Sequence, residues 1–333
     1  MNLHEDMDVF QEFITATASH FNIPEVYVEK DYWVTQLLLN LKNSAFSDRL
    51  VFKGGTSLSK AHKLIKRFSE DVDLAFIVGD LNSNQLKVQI KAAEKALTVG
   101  FDVIEGHINT SKGGKFRKTV YEYPKQLDGD FGQASPELLL EINAFAEPEP
   151  ATPILLNSLI AEFLSASEQA TFVEQFGLES IEIAVLNVER TLCEKIMGLV
   201  KASRAADSDN QLKAKIRHVY DICMVLRLAE YQDFINSDDF SIMLSAVKIC
   251  DSRFPGSEVW LASPLNDVDI FKNIDTAWPA LSAEFTGPFS EMVYDDKLPN
   301  EVEIVATFSL IQKNLARFEA RAAGINDEVN ATG

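Results

Sequence analysis

Cysteine is scarce in this chain, and long apolar runs are missing. Cys193, Cys223 and Cys250 are its three cysteines in 333 residues, and they do not stand at metal-ligand spacing. An odd count without a secretion signal reads as reduced, buried thiols with no chemistry of their own. The start, Met-Asn-Leu-His-Glu-Asp-Met-Asp, is acidic and carries no apolar leader. No segment approaches the ~18 uninterrupted apolar residues of a membrane span, so a cytoplasmic protein without a membrane partner is expected. Positive charge is also in short supply: 31 Lys and Arg face 50 Asp and Glu, a net charge of -19. That balance argues against a protein that coats nucleic acid through a generally basic surface.

What charge there is has been sorted. Residues 51–125 hold 13 basic against 8 acidic side chains, whereas residues 228–333 hold 7 against 18. A basic segment inside an acidic chain suggests a focused site for a polyanion. Hydrophobic residues make up 46% of the chain, enough for a sizeable core, and the length suggests two domains.

Periodicity predicts helices over 6–20, 24–42 and 83–98, and strands at 50–53, 71–78, 101–108, 115–123 and 138–145. Between the first two strands, apolar residues at Leu58, Ala61, Leu64, Ile65 and Phe68 predict a helix reaching Phe68. Its other face would carry Lys60, Lys63 and Arg67 as a basic stripe. The run Glu147-Pro148-Glu149-Pro150-Ala151-Thr152-Pro153 reads as a break. Beyond it the pattern is mainly helical, with a strand at 181–185 and helices at 188–204, 212–228, 239–250 and 299–321. The expected fold class is therefore α+β: residues 1–150 form a mixed sheet with flanking helices, residues 151–322 a mainly helical domain, and residues 323–333 a disordered tail.

The chemistry concentrates between Lys53 and Phe76. Gly54 and Gly55 would let a phosphate approach the backbone, with Thr56 or Ser57 adding a hydroxyl donor. No G-K-[ST] follows at the spacing of a Walker loop. Asp71 and Asp73 lie two apart on one face of a strand, which brings two carboxylates within about 5 Å, where their repulsion costs roughly 3 kcal/mol at an effective dielectric near 20. A divalent cation removes that cost, and hard cations such as Mg²⁺ favour carboxylate oxygens. A turn, a helix and a D-x-D strand in this order suit transfer of a nucleotide from an NTP. Glu141, a charge inside the strand L-L-L-E-I-N-A-F, is either a third metal ligand or a solvated side chain. Lys195 and Asp221, on predicted helices, are either solvated or part of the site.

The runs F-K-G-G-T-S-L-S-K, R-F-S-E-D-V-D-L, V-E-R-T-L-C-E-K-I and R-H-V-Y-D-I, with E-K-D-Y-W-V-T-Q-L-L near the start, resemble the AbiEii/AbiGii toxin family of nucleotidyltransferases, in the DNA polymerase β-like superfamily. The resemblance implies a polymerase β-like domain followed by a helical one, with a cleft between them for NTP and magnesium. It also implies the toxin role of a toxin–antitoxin or abortive-infection pair, with a cognate antitoxin that need not form a stable complex. Carried onto this chain, the family's serine and aspartates fall on Ser69, Asp71 and Asp73, its helical lysine on Lys195 and its later aspartate on Asp221. His218 stands where the family has an acidic residue. An RNA acceptor, with tRNA expected, would approach along the basic segment through Lys60, Lys63, Lys112, Lys115, Arg117 and Lys118. A protein or small-molecule acceptor, or a silent nucleotide-binding module, are the alternatives.

Overall fold

Apolar residues recur on one side of the first long helix and cover most of the circumference of the second. A computed structural model describes residues 2–331 apart from 70, 130, 132–134, 255, 295 and 296; for residues 324–331 only the backbone is described. Helix α1 (Met7–Phe21) starts at Asp6, whose carboxylate accepts the Val9 amide, and ends at Asn22 in the left-handed region. Helix α2 (Glu25–Asn43) follows Pro24. The chain divides into two units, residues 1–187 and 188–333.

The first unit is built on a mixed, eight-stranded sheet. Strand β1 (Leu50–Lys53) is followed by helix α3 (Gly54–Lys60), strand β2 (Asp71–Phe76) and helix α4 (Ser83–Leu97). Then come β3 (Asp102–Val103), β4 (Ser111–Lys112), β5 (Phe116–Glu122), β6 (Leu138–Asn143), β7 (Ala151–Leu156), helices α5 (Leu159–Ala166) and α6 (Ala170–Gln175), and β8 (Ile181–Leu186). The strand order is β3-β5-β6-β2-β1-β8-β7, with β4 paired to β5. Antiparallel β1–β2 and parallel β2–β6 and β1–β8 contacts make it mixed. Val72, Leu74, Phe76, Leu138, Leu140 and Ile142 enter the core with residues of α1, α2 and α4. Alternation therefore leaves Asp71, Asp73, Leu139, Glu141 and Asn143 on the opposite face, partly exposed.

Three consecutive charges on α2, Glu29 and Lys30 buried and Asp31 partly so, fan out to hold other segments. Glu29 accepts the amides of Gln126 and Leu127 at 2.6 and 3.2 Å. Lys30 donates to the Ser135 carbonyl at 2.5 Å and lies over the Phe68 ring. Asp31 pairs with Lys60 at 2.6 Å and accepts the Leu159 amide at 2.7 Å.

Several expectations change. The helix predicted to reach Phe68 stops at Lys60, because Lys63 takes a left-handed conformation that turns the chain, and the apolar spacing beyond it belongs to a packed loop. The strand predicted at 101–108 shrinks to Asp102–Val103, and the predicted helix 212–228 divides into two at Lys215. Residues 151–187, expected in the helical domain, supply β7 and β8 to the sheet, so the first unit ends near Asn187 rather than 150.

The second unit is helical: α7 (Val188–Ser203), α8 (Ser208–Ala214), α9 (Ile216–Leu226), α10 (Ala229–Asn236), α11 (Asp238–Asp251), α12 (Ser257–Trp260), α13 (Asp269–Lys272), α14 (Ile274–Thr286) and α15 (Glu301–Ala331). Part of the expected disordered tail, residues 323–331, continues α15; residues 332 and 333 lie outside the described residues.

Candidate active site

Gly54 and Gly55 occupy their positions for different reasons. Gly54 has φ +82°, a conformation that an L side chain resists, and a Cβ there would stand 2.1 Å from Asp73 Oδ2. A Cβ on Gly55 would stand 2.2 Å from Arg67 Nη2 and 3.4 Å from Ser69 Oγ. The glycine turn thus admits an acidic and a basic side chain against its backbone. The sequence reading gave both glycines to the phosphate alone and placed Arg67 on an exposed stripe. Arg67 is instead buried, and its Nη1 donates to the Phe68 carbonyl at 3.2 Å.

The two hydroxyls of the turn are internal as well. Thr56 Oγ1 donates to Ser69 Oγ at 2.8 Å and also contacts the Asp71 carbonyl. Ser57 Oγ donates to the Gly54 carbonyl at 2.9 Å. Both residues are buried, so they shape the turn, while Ser69 remains partly exposed beside it. Helix α3 is only seven residues long.

Register aligns the acids with two bases. Lys53 opposes Asp73, Asp73 neighbours Glu141, and Glu141 opposes Lys118, so the row reads base, acid, acid, base across β1, β2, β6 and β5. Asp71 lies two residues from Asp73 on the same face, next to Leu139. Asn143 Nδ2 donates to Glu141 Oε1 at 3.4 Å. Asp71 and Asp73 suit a hard divalent cation by donor type and by sharing a face. Glu141 was read either as the third ligand of such a set or as a solvated side chain. Among the described residues, however, no three His, Cys, Asp or Glu side chains are gathered closely enough to hold an ion. Glu141 is a register neighbour of Asp73 without being clustered with the pair.

In the second unit, Lys195 on α7 and Asp221 on α9 bond to each other. Nζ lies 2.6 Å from Oδ2, and the two side chains are 7% and 0% exposed, which excludes the solvated alternative for both. Gly198 leaves room for His218, since a Cβ there would meet the imidazole Cε1 at 3.0 Å. His218 Nδ1 lies 3.4 Å from the Lys195 carbonyl. Desolvation, and then the charges of Lys195 and Lys215, hold the His218 pKa well below its ordinary value. His218 therefore brings no charge to this corner at neutral pH, unlike the acid expected there.

The basic segment is thinner than its composition suggested. Lys60 is buried against Asp31 and also donates to the Asn157 carbonyl at 3.0 Å; Lys63 pairs with Glu162. Arg117 pairs with Glu94 at 2.5 Å, and Glu94 also accepts from Thr119. Each of these three cations has a carboxylate partner distant in sequence, which composition could not reveal. Lys112 and Lys115 are exposed and Lys118 partly so. Sequence reasoning missed Lys53 and Arg67 as parts of the turn; the adjacent glycines, which demand a reason for lacking side chains, were the available signal.

Comparison with known proteins bears on this arrangement. The family model described as "Nucleotidyl transferase AbiEii toxin, Type IV TA system" matches residues 36–306. Among solved structures, the chain is similar to MenT4, a nucleotidyltransferase toxin from Mycobacterium tuberculosis H37Rv, at 15% identity and a TM-score of 0.47, covering 90% of this chain and 98% of that one. No curated protein matches. The family match spans both units and takes in the glycine turn, the D-x-D strand, Lys195 and Asp221: the chain belongs to the AbiEii nucleotidyltransferase toxin family of type IV toxin–antitoxin systems.

Proposed function

We propose that the protein transfers a nucleotide from an NTP to a hydroxyl of an RNA acceptor, tRNA first among the candidates, in a Mg²⁺-dependent reaction. The observation that carries this reading is the seating of Asp73 on Gly54, which joins the acid pair of β2 to the turn of α3. The acceptor oxygen forms a bond to the α-phosphorus, the bond to the bridging oxygen breaks, pyrophosphate leaves, and the hydroxyl proton passes to solvent. Asp71 and Asp73 would hold the metal, which when bound supplies positive charge to offset that on the phosphates. Glu141, beside Asp73, is the candidate for the acceptor side. The turn from Gly54 to Ser57 and Ser69 serve the phosphates, with Thr56 and Ser57 acting through the turn's shape. Lys195 binds the triphosphate, and Asp221 orients its ammonium.

The RNA arrives through Lys112, Lys115 and Lys118; Lys60, Lys63 and Arg117 are withdrawn from that role by their carboxylate partners. No helix among the described residues is long and apolar enough to cross a membrane. The cytoplasm, where NTP and tRNA occur together, is the proposed setting. The cognate antitoxin would restrain the activity without needing a stable complex.

The test is incubation with Mg²⁺, each α-labelled NTP in turn and total cellular RNA. Labelled RNA that disappears with Asp71→Ala and with Lys195→Ala is the expected result. Label that enters protein in reactions lacking RNA would transfer the acceptor role to a protein, and RNA labelling that survives both substitutions would overturn the assignment. Lys115→Glu should weaken RNA binding and lower the slope of log K against log salt by about one or two.

A further inference from the structure

Phe116 is a large apolar side chain on the face of the sheet that carries the acids. It lies two residues before Lys118 on β5 and opposes Asn143, which lies two residues after Glu141 on β6. The alternation of strands therefore puts Phe116, Lys118, Glu141 and Asp73 on one face. Phe116 is partly exposed and stands outside the hydrophobic core cluster of its unit, as does Phe145. The two rings stack, with centroids 6.0 Å apart and planes inclined by 26°. Phe145 thus backs one face of the Phe116 ring.

The spacing suits a nucleotide. Strands lie about 4.8 Å apart and alternate residues about 6.7 Å apart, so the Phe116 backbone is roughly 8 Å from that of Glu141 and 12 Å from that of Asp73. A base resting on the ring would have its ribose on the acid row and its next phosphate near the Lys118 ammonium group. The opposite end of the row, at Lys53, leads directly into the Gly54 turn. The triphosphate side and the aromatic side are thereby separated by the acids. Lys118, opposite Glu141 on β5, stands at the aromatic end of the row as a cation for a phosphodiester.

We propose that Phe116, backed by Phe145, is the stacking platform for the terminal base of a single-stranded RNA acceptor, with Lys118 taking its adjacent phosphate. The proposal rests on the RNA-acceptor reading above and adds where, and by which chemistry, the acceptor end is held. Stacking of a base on an aromatic side chain tolerates any base, so the platform fixes position without selecting sequence.

The experiment measures the KM for total tRNA and for the NTP separately, and binding of a short single-stranded RNA by anisotropy, with wild-type protein, Phe116→Leu and Phe116→Tyr. Leucine keeps apolar volume and loses the ring face; tyrosine restores the face. A rise of about five- to a hundred-fold in the tRNA KM and the RNA Kd is expected for Phe116→Leu. The NTP KM should stay unchanged, and Phe116→Tyr should return most of the loss. An unchanged tRNA KM in Phe116→Leu, or a rise in the NTP KM alone, overturns the platform while the RNA-acceptor reading stands. A wild-type protein that labels protein, neither labelling tRNA nor binding the short RNA, overturns both. Should Phe116→Leu fail to fold, photo-crosslinking of wild-type protein to RNA with a 3′-terminal thiouridine decides the matter: adducts on the 112–118 peptide support the platform, and adducts confined elsewhere refute it.

Discussion

Replacing Gly55 by alanine should be harmful only while Arg67 is present. The added methyl would stand 2.2 Å from Arg67 Nη2, and ordinary contact begins near 3.4 Å, so the guanidinium or the turn must yield by about 1.2 Å. Arg67 is 3% exposed, which closes off an escape into solvent. Overpacking of this kind costs about 1–3 kcal/mol. Gly55 lies within α3 at a φ that alanine tolerates, so the same methyl also gains roughly 0.5–1 kcal/mol in backbone entropy and helix propensity. With arginine at 67, Gly55→Ala should therefore be neutral to destabilising by about 2 kcal/mol. In an Arg67→Ala background only the gain remains, and the substitution should stabilise. The coupling energy equals the overpacking cost, about 1–3 kcal/mol, whatever Arg67→Ala costs by itself. Urea denaturation read by Trp33 fluorescence, with Trp260 and Trp278 replaced by Phe, confines the signal to the unit that holds the turn. Equal effects of Gly55→Ala in the two backgrounds would refute the explanation of the second glycine.

Three further outcomes follow from the second unit and its pH response. Asp221→Ala leaves the Lys195 ammonium buried without its carboxylate and should cost about 3–5 kcal/mol, whereas Lys195→Met with Asp221→Leu should cost less than Asp221→Ala alone; thermal denaturation compares them. His218 stays neutral in the folded chain while its unfolded counterpart takes up a proton below about pH 6.5, so it contributes a loss of stability as the pH falls through that value, approaching 1.4 kcal/mol per unit. Unfolding midpoints at several pH values should show a shallower acid slope for His218→Gln, and an unchanged slope would contradict the depressed pKa. Gly198→Ala should shift His218 and destabilise, by an amount that His218→Ala relieves.

Strands β1, β2, β6 and β8 were legible because each is a local alternation bounded by turn chemistry, and the acid pair followed from that alternation. Strand β7 was not, since Pro148, Pro150 and Pro153 resemble a break; Pro153 is tolerated because β7 is an edge strand, where one side of the backbone needs no donor. The early end of α3 was hidden by apolar residues that keep helical spacing through Phe68 although the chain has already turned. Buried cations were the least legible feature. Lys30, Lys60 and Lys195 have the composition of surface residues, and what buries them is a partner 105, 29 or 26 residues away.

Strand β1 carries the glycine turn, yet its two neighbours enter the chain at very different times. Strand β2 begins 18 residues after β1 ends, whereas β8, which flanks β1 on the other side, is complete only at Leu186. During synthesis the turn must therefore wait, with one side of its strand unpaired, until more than half of the polypeptide has left the ribosome. A chain interrupted near the proline-rich run at 147–153 would contain the turn, both aspartates and Glu141 but would lack β8. Premature termination would then leave β1 with an exposed strand edge where β8 belongs.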